Sequence, residues 1–194
     1  MITAFALQEA GYVCNVSTQF LHLLRQLIEE ILVVLDEPGE LSTFVLAATE
    51  VETTRDEPHD PALGSLLPPM SDDPPEAANL RALTEDFLRA EKAARLRRIH
   101  TELSSAIGTD TVVIMVTHQE VWDWLAALND VRLALAGELG IDSREAENKV
   151  AELAHACDLE QPLSEATMSA GMYMMVTWWQ DSLLTAVRAE AWSH

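Results

Sequence analysis

A mainly α-helical bundle with a small antiparallel β-sheet is the fold class to which this sequence points. Apolar stripes of helical period recur along most of the chain. β-prone runs are confined to the N-terminus and to a segment near 111–116. At 194 residues and 48% hydrophobic content, the chain has the size and the apolar surface of a single domain, residues 1–194, around one core.

The elements follow in order. Ile2 to Leu7 and Tyr12 to Val16 are short β-prone runs separated by Gln8 to Gly11, the pattern of a hairpin. Ser17 or Thr18 caps a helix from about Gln19 to Leu35, with Phe20, Leu24, Leu27, Ile31 and Leu35 as its stripe. Asp36-Glu-Pro-Gly39 stops it. Leu41 to Val51 fits a helix or an extended piece equally. Residues 53–73 are acidic and proline-punctuated, which predicts a mobile loop. Within it, a short turn of helix starts at Pro61 with Asp60 as cap. Asp73-Pro74-Pro75 opens a helix to about Leu83. Thr84-Glu85 reads as a fresh cap for a longer helix to about Ile107, ended by Gly108. Thr111 to Val116, TVVIMV, is the clearest strand and the third of the sheet. Thr117 and Glu120 fit a capping box for a helix that Gly140 ends. Ser143 to Ala156 is a more polar helix, broken by Gln161-Pro162. Ser164 caps a last helix to about Trp192.

The segment from Val121 to Leu139 has the strongest helical period. Val121, Leu125, Leu128, Leu135 and Leu139 share a face, Arg132 projects from the middle of it, and Asn129 sits at its edge. A buried guanidinium costs several kcal/mol unless a carboxylate meets it. Arg132 therefore either docks two helices through an ion pair, with Asp181 and Gln180 on the last helix as partners, or lines a pocket for an anionic group. Lys92 is a second cation within an apolar stripe, that of Leu88, Leu96, Ile99 and Leu103. Its stem can cover apolar surface while the ammonium reaches water, or it can form a salt bridge.

The net charge of −20 opposes nucleic acid and anionic lipid and suits a basic partner. Six of the twelve basic residues fall between Arg81 and Arg98: Arg81, Arg89, Lys92, Arg95, Arg97 and Arg98. Glu85, Asp86 and Glu91 interleave with them at spacings suited to intrahelical pairs, so a solvated, self-paired helix is expected rather than a binding face. No stretch resembles a signal peptide or a membrane span, and a cytoplasmic location is expected. Cys14 and Cys157 read as reduced thiols outside any C-x-x-C pair. The six histidines lack the spacing of metal ligands, and no phosphate-binding glycine loop or nucleophile motif occurs. No metal, cofactor or catalytic residue is predicted. The last helix has a wide apolar arc, including Met168, Met172, Tyr173, Met175, Trp178 and Trp179. That arc is either central to the bundle or covered by another subunit.

Trp124-Leu-x-x-Leu128-Asn129-Asp-x-Arg132-Leu133-x-Leu135 resembles the central motif of an uncharacterised actinobacterial family, the domain-of-unknown-function family number twenty-seventeen. Asp60-Pro-Ala-Leu63 with Leu67-Pro68, and Asp72-Asp-Pro-Pro-Glu76 leading to Leu83-Thr84-Glu85 and Lys92, are similar to that family in order. Tyr173 and Gln180-Asp-Ser-Leu183 fit its last helix. The chain departs from it at Leu41 to Glu57 and at Met174-Met175. The resemblance implies a fold and motif positions but no reaction. It also implies a gene neighbourhood containing a Clp-protease adaptor, and a transcriptional-regulator label on some members.

Together these readings predict a non-enzymatic interaction or regulatory protein linked to Clp-dependent proteolysis. It would work through a groove near Arg132, Asn129 and Gln180, alone or as a homodimer. The alternatives are a DNA-associated transcriptional regulator using the Arg81 to Arg98 helix, and an enzyme with a polar pocket at Arg132.

Overall fold

The computed structural model describes residues 2–36, 53–106, 110–155 and 164–192. The ambiguous stretch from Leu41 to Val51, the predicted stop at Gly108, Cys157 and the Gln161-Pro162 break lie outside the described residues. Among those described, three strands and six helices occur in the order β1 (Ala6–Gln8), β2 (Gly11–Ser17), α1 (Thr18–Asp36), α2 (Pro61–Leu66), α3 (Pro74–Ser105), β3 (Thr111–Thr117), α4 (Val121–Glu138), α5 (Arg144–His155) and α6 (Glu165–Ala191). The mainly helical class with one small sheet is thus observed. No described helix is long and apolar enough to cross a membrane.

The sheet is antiparallel throughout, in the order β1-β2-β3. Alternation does the rest. Tyr12, Cys14 and Val16 of β2 pair with Val116, Ile114 and Val112 of β3, and all six side chains are buried against the helices. Val13 and Asn15 pair with Met115 and Val113 on the opposite face.

Trp179 of α6 is the hub of the core. It stacks on Phe5 at 5.2 Å between ring centroids and meets Phe20 and Trp124 edge-on at 5.6 and 6.0 Å. One indole thus ties the N-terminal segment, α1 and α4 to α6, through ring geometries that aromatic quadrupoles favour. α6 buries Ala170, Tyr173, Val176, Trp179, Leu183 and Ala186. It is central to the bundle along this stripe, while Met168 and Trp178 of its wide arc stay exposed.

Local chemistry accounts for the ends. Asp60 caps α2 by accepting the Leu63 N–H at 2.8 Å, and Ser164 caps α6 by accepting from Thr167 at 3.1 Å. α4 ends in a Schellman motif: Ile141 N–H reaches the Ala136 carbonyl, Gly140 N–H reaches that of Gly137, and Gly140 takes φ +64°.

The first strand and two caps differ from the sequence reading: β1 covers Ala6–Gln8 rather than Ile2 to Leu7, and Ile2 makes only an isolated bridge to Val16. α3 runs unbroken through Thr84, because the Thr84 hydroxyl donates back to the Leu80 carbonyl at 2.8 Å and is satisfied inside the helix. The capping box at Thr117 does not form. The Thr117 hydroxyl donates to the Glu120 carboxylate at 2.6 Å, and Glu120 itself occupies the cap position of α4 without a side-chain bond to the backbone.

Candidate functional site

The five polar residues singled out from sequence do not form one site. Arg132 is half-buried, and its Nη2 donates to Asn129 Oδ1 at 2.8 Å, one turn back on the same helix. Its Nε is enclosed without a partner among the described residues. Asp181 is exposed on α6 and makes no ion pair with Arg132 among the described residues. Gln180 instead donates to the Leu125 carbonyl at 3.1 Å, bracing α6 against α4. The expected docking of helices through an Arg132–Asp181 pair is therefore corrected. The reason is the buried arc of α4, which is wider than the leucine stripe and extends through Trp124, Ala127, Val131 and Ala134. This leaves Arg132 toward one margin. Near that margin, Tyr173 donates to Glu147 at 3.3 Å, and burial and the Glu147 charge push its phenol above the ordinary range, with Arg132 opposing.

The buried charge of α4 is Asp130, 2% exposed. Lys92 Nζ lies 2.5 Å from Asp130 Oδ1, and Arg95 Nη1 lies 3.2 Å from Oδ2. Lys92 is thus a docking cation between α3 and α4. Sequence reasoning passed over Asp130, although it stands beside Asn129 in the same motif. Its signal was its place on a helix face that also carries Ala127 and Ala134, where small residues bring a neighbour close.

A second buried cluster sits in the first half of α3. Glu85, 4% exposed, accepts from Arg89 at 2.9 Å and meets Arg81 at 3.4 Å, with Arg55 at 3.7 Å. Arg81, 7% exposed, also donates to the Leu67 carbonyl at 3.0 Å, and Arg89 donates to the carbonyls of Val34 and Leu35. The spacing Arg81-x-x-x-Glu85-x-x-x-Arg89 put these groups on one helix face and was the legible signal. The rest of the basic stretch is also engaged. Arg97 pairs with Asp36 of α1, and Arg98 with Asp123 of α4 at 2.5 Å. Of the intrahelical pairs expected from the sequence, those of Glu85 and Glu91 are present, whereas Asp86 pairs with Arg55 outside the helix, and most of this charge holds α3 to its neighbours.

Arg81 forms the floor of a cleft at the corner where α2 turns into α3. The narrow part, about 110 Å³, has walls from Leu66, Leu67, Pro68, Met70, Ala77 and Leu88. A broader concavity of about 430 Å³ adjoins it, sharing Pro69, Ala77 and Arg81 and rimmed by Asp56, Glu57 and Asp72. Met70 Sδ accepts from Thr84 at 3.7 Å; Leu83 and Phe87, one turn apart on another face of α3, are 74% and 69% exposed. Asp86 is held below the usual carboxylate range by hydrogen bonds from Arg55. Floor cations neutralised by Glu85 and by carbonyls leave a cleft that can hold an apolar side chain. Cys14, the buried free thiol among the described residues, has its pKa pushed by burial to about 12. Among the described residues no group of His, Cys, Asp and Glu converges as metal ligands.

No curated protein and no solved structure matches the chain. The chain belongs to the family described as Domain of unknown function (DUF2017), whose model matches residues 2–187.

Proposed function

We propose that this chain is a non-enzymatic interaction protein of the cytoplasm that regulates a protein partner. Its recognition surface is the cleft above Arg81, not the neighbourhood of Arg132. The carrying observation is the combination at that corner: an apolar cleft edged by exposed Met70 and bordered by exposed Asp56, Glu57 and Asp72. A segment with one or two large apolar anchors flanked by Lys or Arg is complementary to both features. Thioether and proline walls accommodate varied anchors.

The DNA-associated reading loses its support, because the six α3 cations it needs are engaged with Glu85, Asp130, Glu91, Asp123, Asp36 and backbone carbonyls. Neither of the two concavities described above includes Arg132 in its lining.

Fluorescence anisotropy with two labelled peptides of equal charge tests the proposal, one alternating Leu and Lys, the other Ser and Lys. The Leu peptide binds with a component that survives high salt, and M70D, at an exposed wall residue of the cleft, removes that component. Equal, fully salt-sensitive binding of both peptides rejects it. The gene neighbourhood implied by the family resemblance makes Clp components the first proteins to test by co-purification.

A further inference from the structure

β3 is one of the two edges of the sheet among the described residues. β2 pairs along one side of it, and among the described residues no strand pairs along the other. Edge strands expose a row of backbone donors and acceptors, and natural proteins guard them with Lys, Pro, a bulge or an inward charge. TVVIMVT has none of these, and its register with β2 is unbroken from Gly11↔Thr117 to Ser17↔Thr111. Val113 and Met115, on the face away from the helices, are 61% and 54% exposed.

The strand is self-complementary when reversed. A two-fold axis perpendicular to the sheet, beside Ile114 and midway between two copies of β3, sets Ile114 opposite Ile114, Val112 opposite Val116 and Val113 opposite Met115 of the second copy. The axis keeps Val112, Ile114 and Val116 on the helix side in both copies, so neither core is disturbed. One step beyond the strand, the same register places Asp110 opposite His118 of the second copy, an acid against a base at both ends. A strand without carboxylates is also where two copies, each of net charge −20, can meet with least local repulsion.

We propose that two copies of this chain associate through β3, antiparallel and centred on Ile114, into one continuous sheet. The pairing supplies a second ladder along Val112 to Val116 and gives Val113 and Met115 cross-strand neighbours. It is independent of the cleft above Arg81, which lies on other elements.

Sedimentation velocity of the full chain across a concentration series tests this, with circular dichroism confirming that each variant is folded. Both substituted side chains are exposed, so the monomer tolerates them. Wild type sediments as a dimer. V113K/M115K sets Lys opposite Lys twice and weakens the dimer about tenfold or more. V113K/M115E sets Lys opposite Glu twice and restores it. A monomeric wild type overturns the proposal, as does a dimer indifferent to V113K/M115K. Equal loss in both variants overturns the register.

Discussion

Lys92 Nζ meets Asp130 Oδ1 at 2.5 Å on a face of α4 that points away from Arg132. The carboxylate is 2% exposed and also faces Arg95, so α3 and α4 are joined by one buried anion between two partly exposed cations. Stability depends on which side of that arrangement is removed.

The anion has no route to water, whereas the cations do. Lys92→Met combined with Arg95→Met strands the Asp130 carboxylate and is expected to cost about 3–5 kcal/mol. Asp130→Leu is expected to cost less, because both long side chains can swing their charges outward. Urea melts of the two variants read the difference, and a larger loss for Asp130→Leu would contradict the asymmetry.

Arg132 behaves differently. With a single bond to Asn129 on its own helix, Arg132→Met is expected to cost under about 1.5 kcal/mol. Combined with Asp181→Asn, the two effects are expected to add within about 0.5 kcal/mol. A coupling energy well above that in a double-mutant cycle would restore the pairing that the structure replaces.

Two helical glycines separate propensity from packing. Alanine is favoured over glycine in a helix by about 1 kcal/mol. At Gly171 an added Cβ meets nothing within 4 Å, so Gly171→Ala should stabilise. At Gly137 the same Cβ would run into the Pro61 carbonyl, where α2 lies on α4. Gly137→Ala should destabilise by about 1–3 kcal/mol through overpacking. Thermal melts giving both changes the same sign would show that α2 does not rest there.

The Glu102 carboxyl accepts from the Trp124 indole at 2.9 Å, and burial raises its pKa above the ordinary 4.5. For an acid raised on folding, the native state binds the extra proton. The associated stability is full below pH 4.5 and is lost as pH rises through the folded value. Glu102→Gln keeps an acceptor for the indole and abolishes the titration. The melting temperature of wild type relative to E102Q is therefore expected to fall as pH rises across that window. A difference independent of pH would rule out this contribution.

Element identity was readable because it rests on local rules. The stripe of α1, the β-branched run of β3, the cap of Asp60 on α2 and the Gly140 stop each depend on a few neighbouring residues. The two misread caps were local as well: at Thr84 and Thr117 the hydroxyl donates to a nearby oxygen instead of accepting the backbone N–H that capping supposes. By itself, then, the sequence determined the fold class, the order of elements and the acidity of the surface. Which charges are buried was decided by the tertiary structure. Whether Arg132 or Asp130 points inward depends on where α3, α5 and α6 settle around α4, and whether the Arg81 face is a solvated stripe or a cleft floor depends on Leu67 folding back over it. A helical period gives the angle between two side chains on one helix. It does not say which neighbour fills the space at that angle, and a charge takes its role from that neighbour.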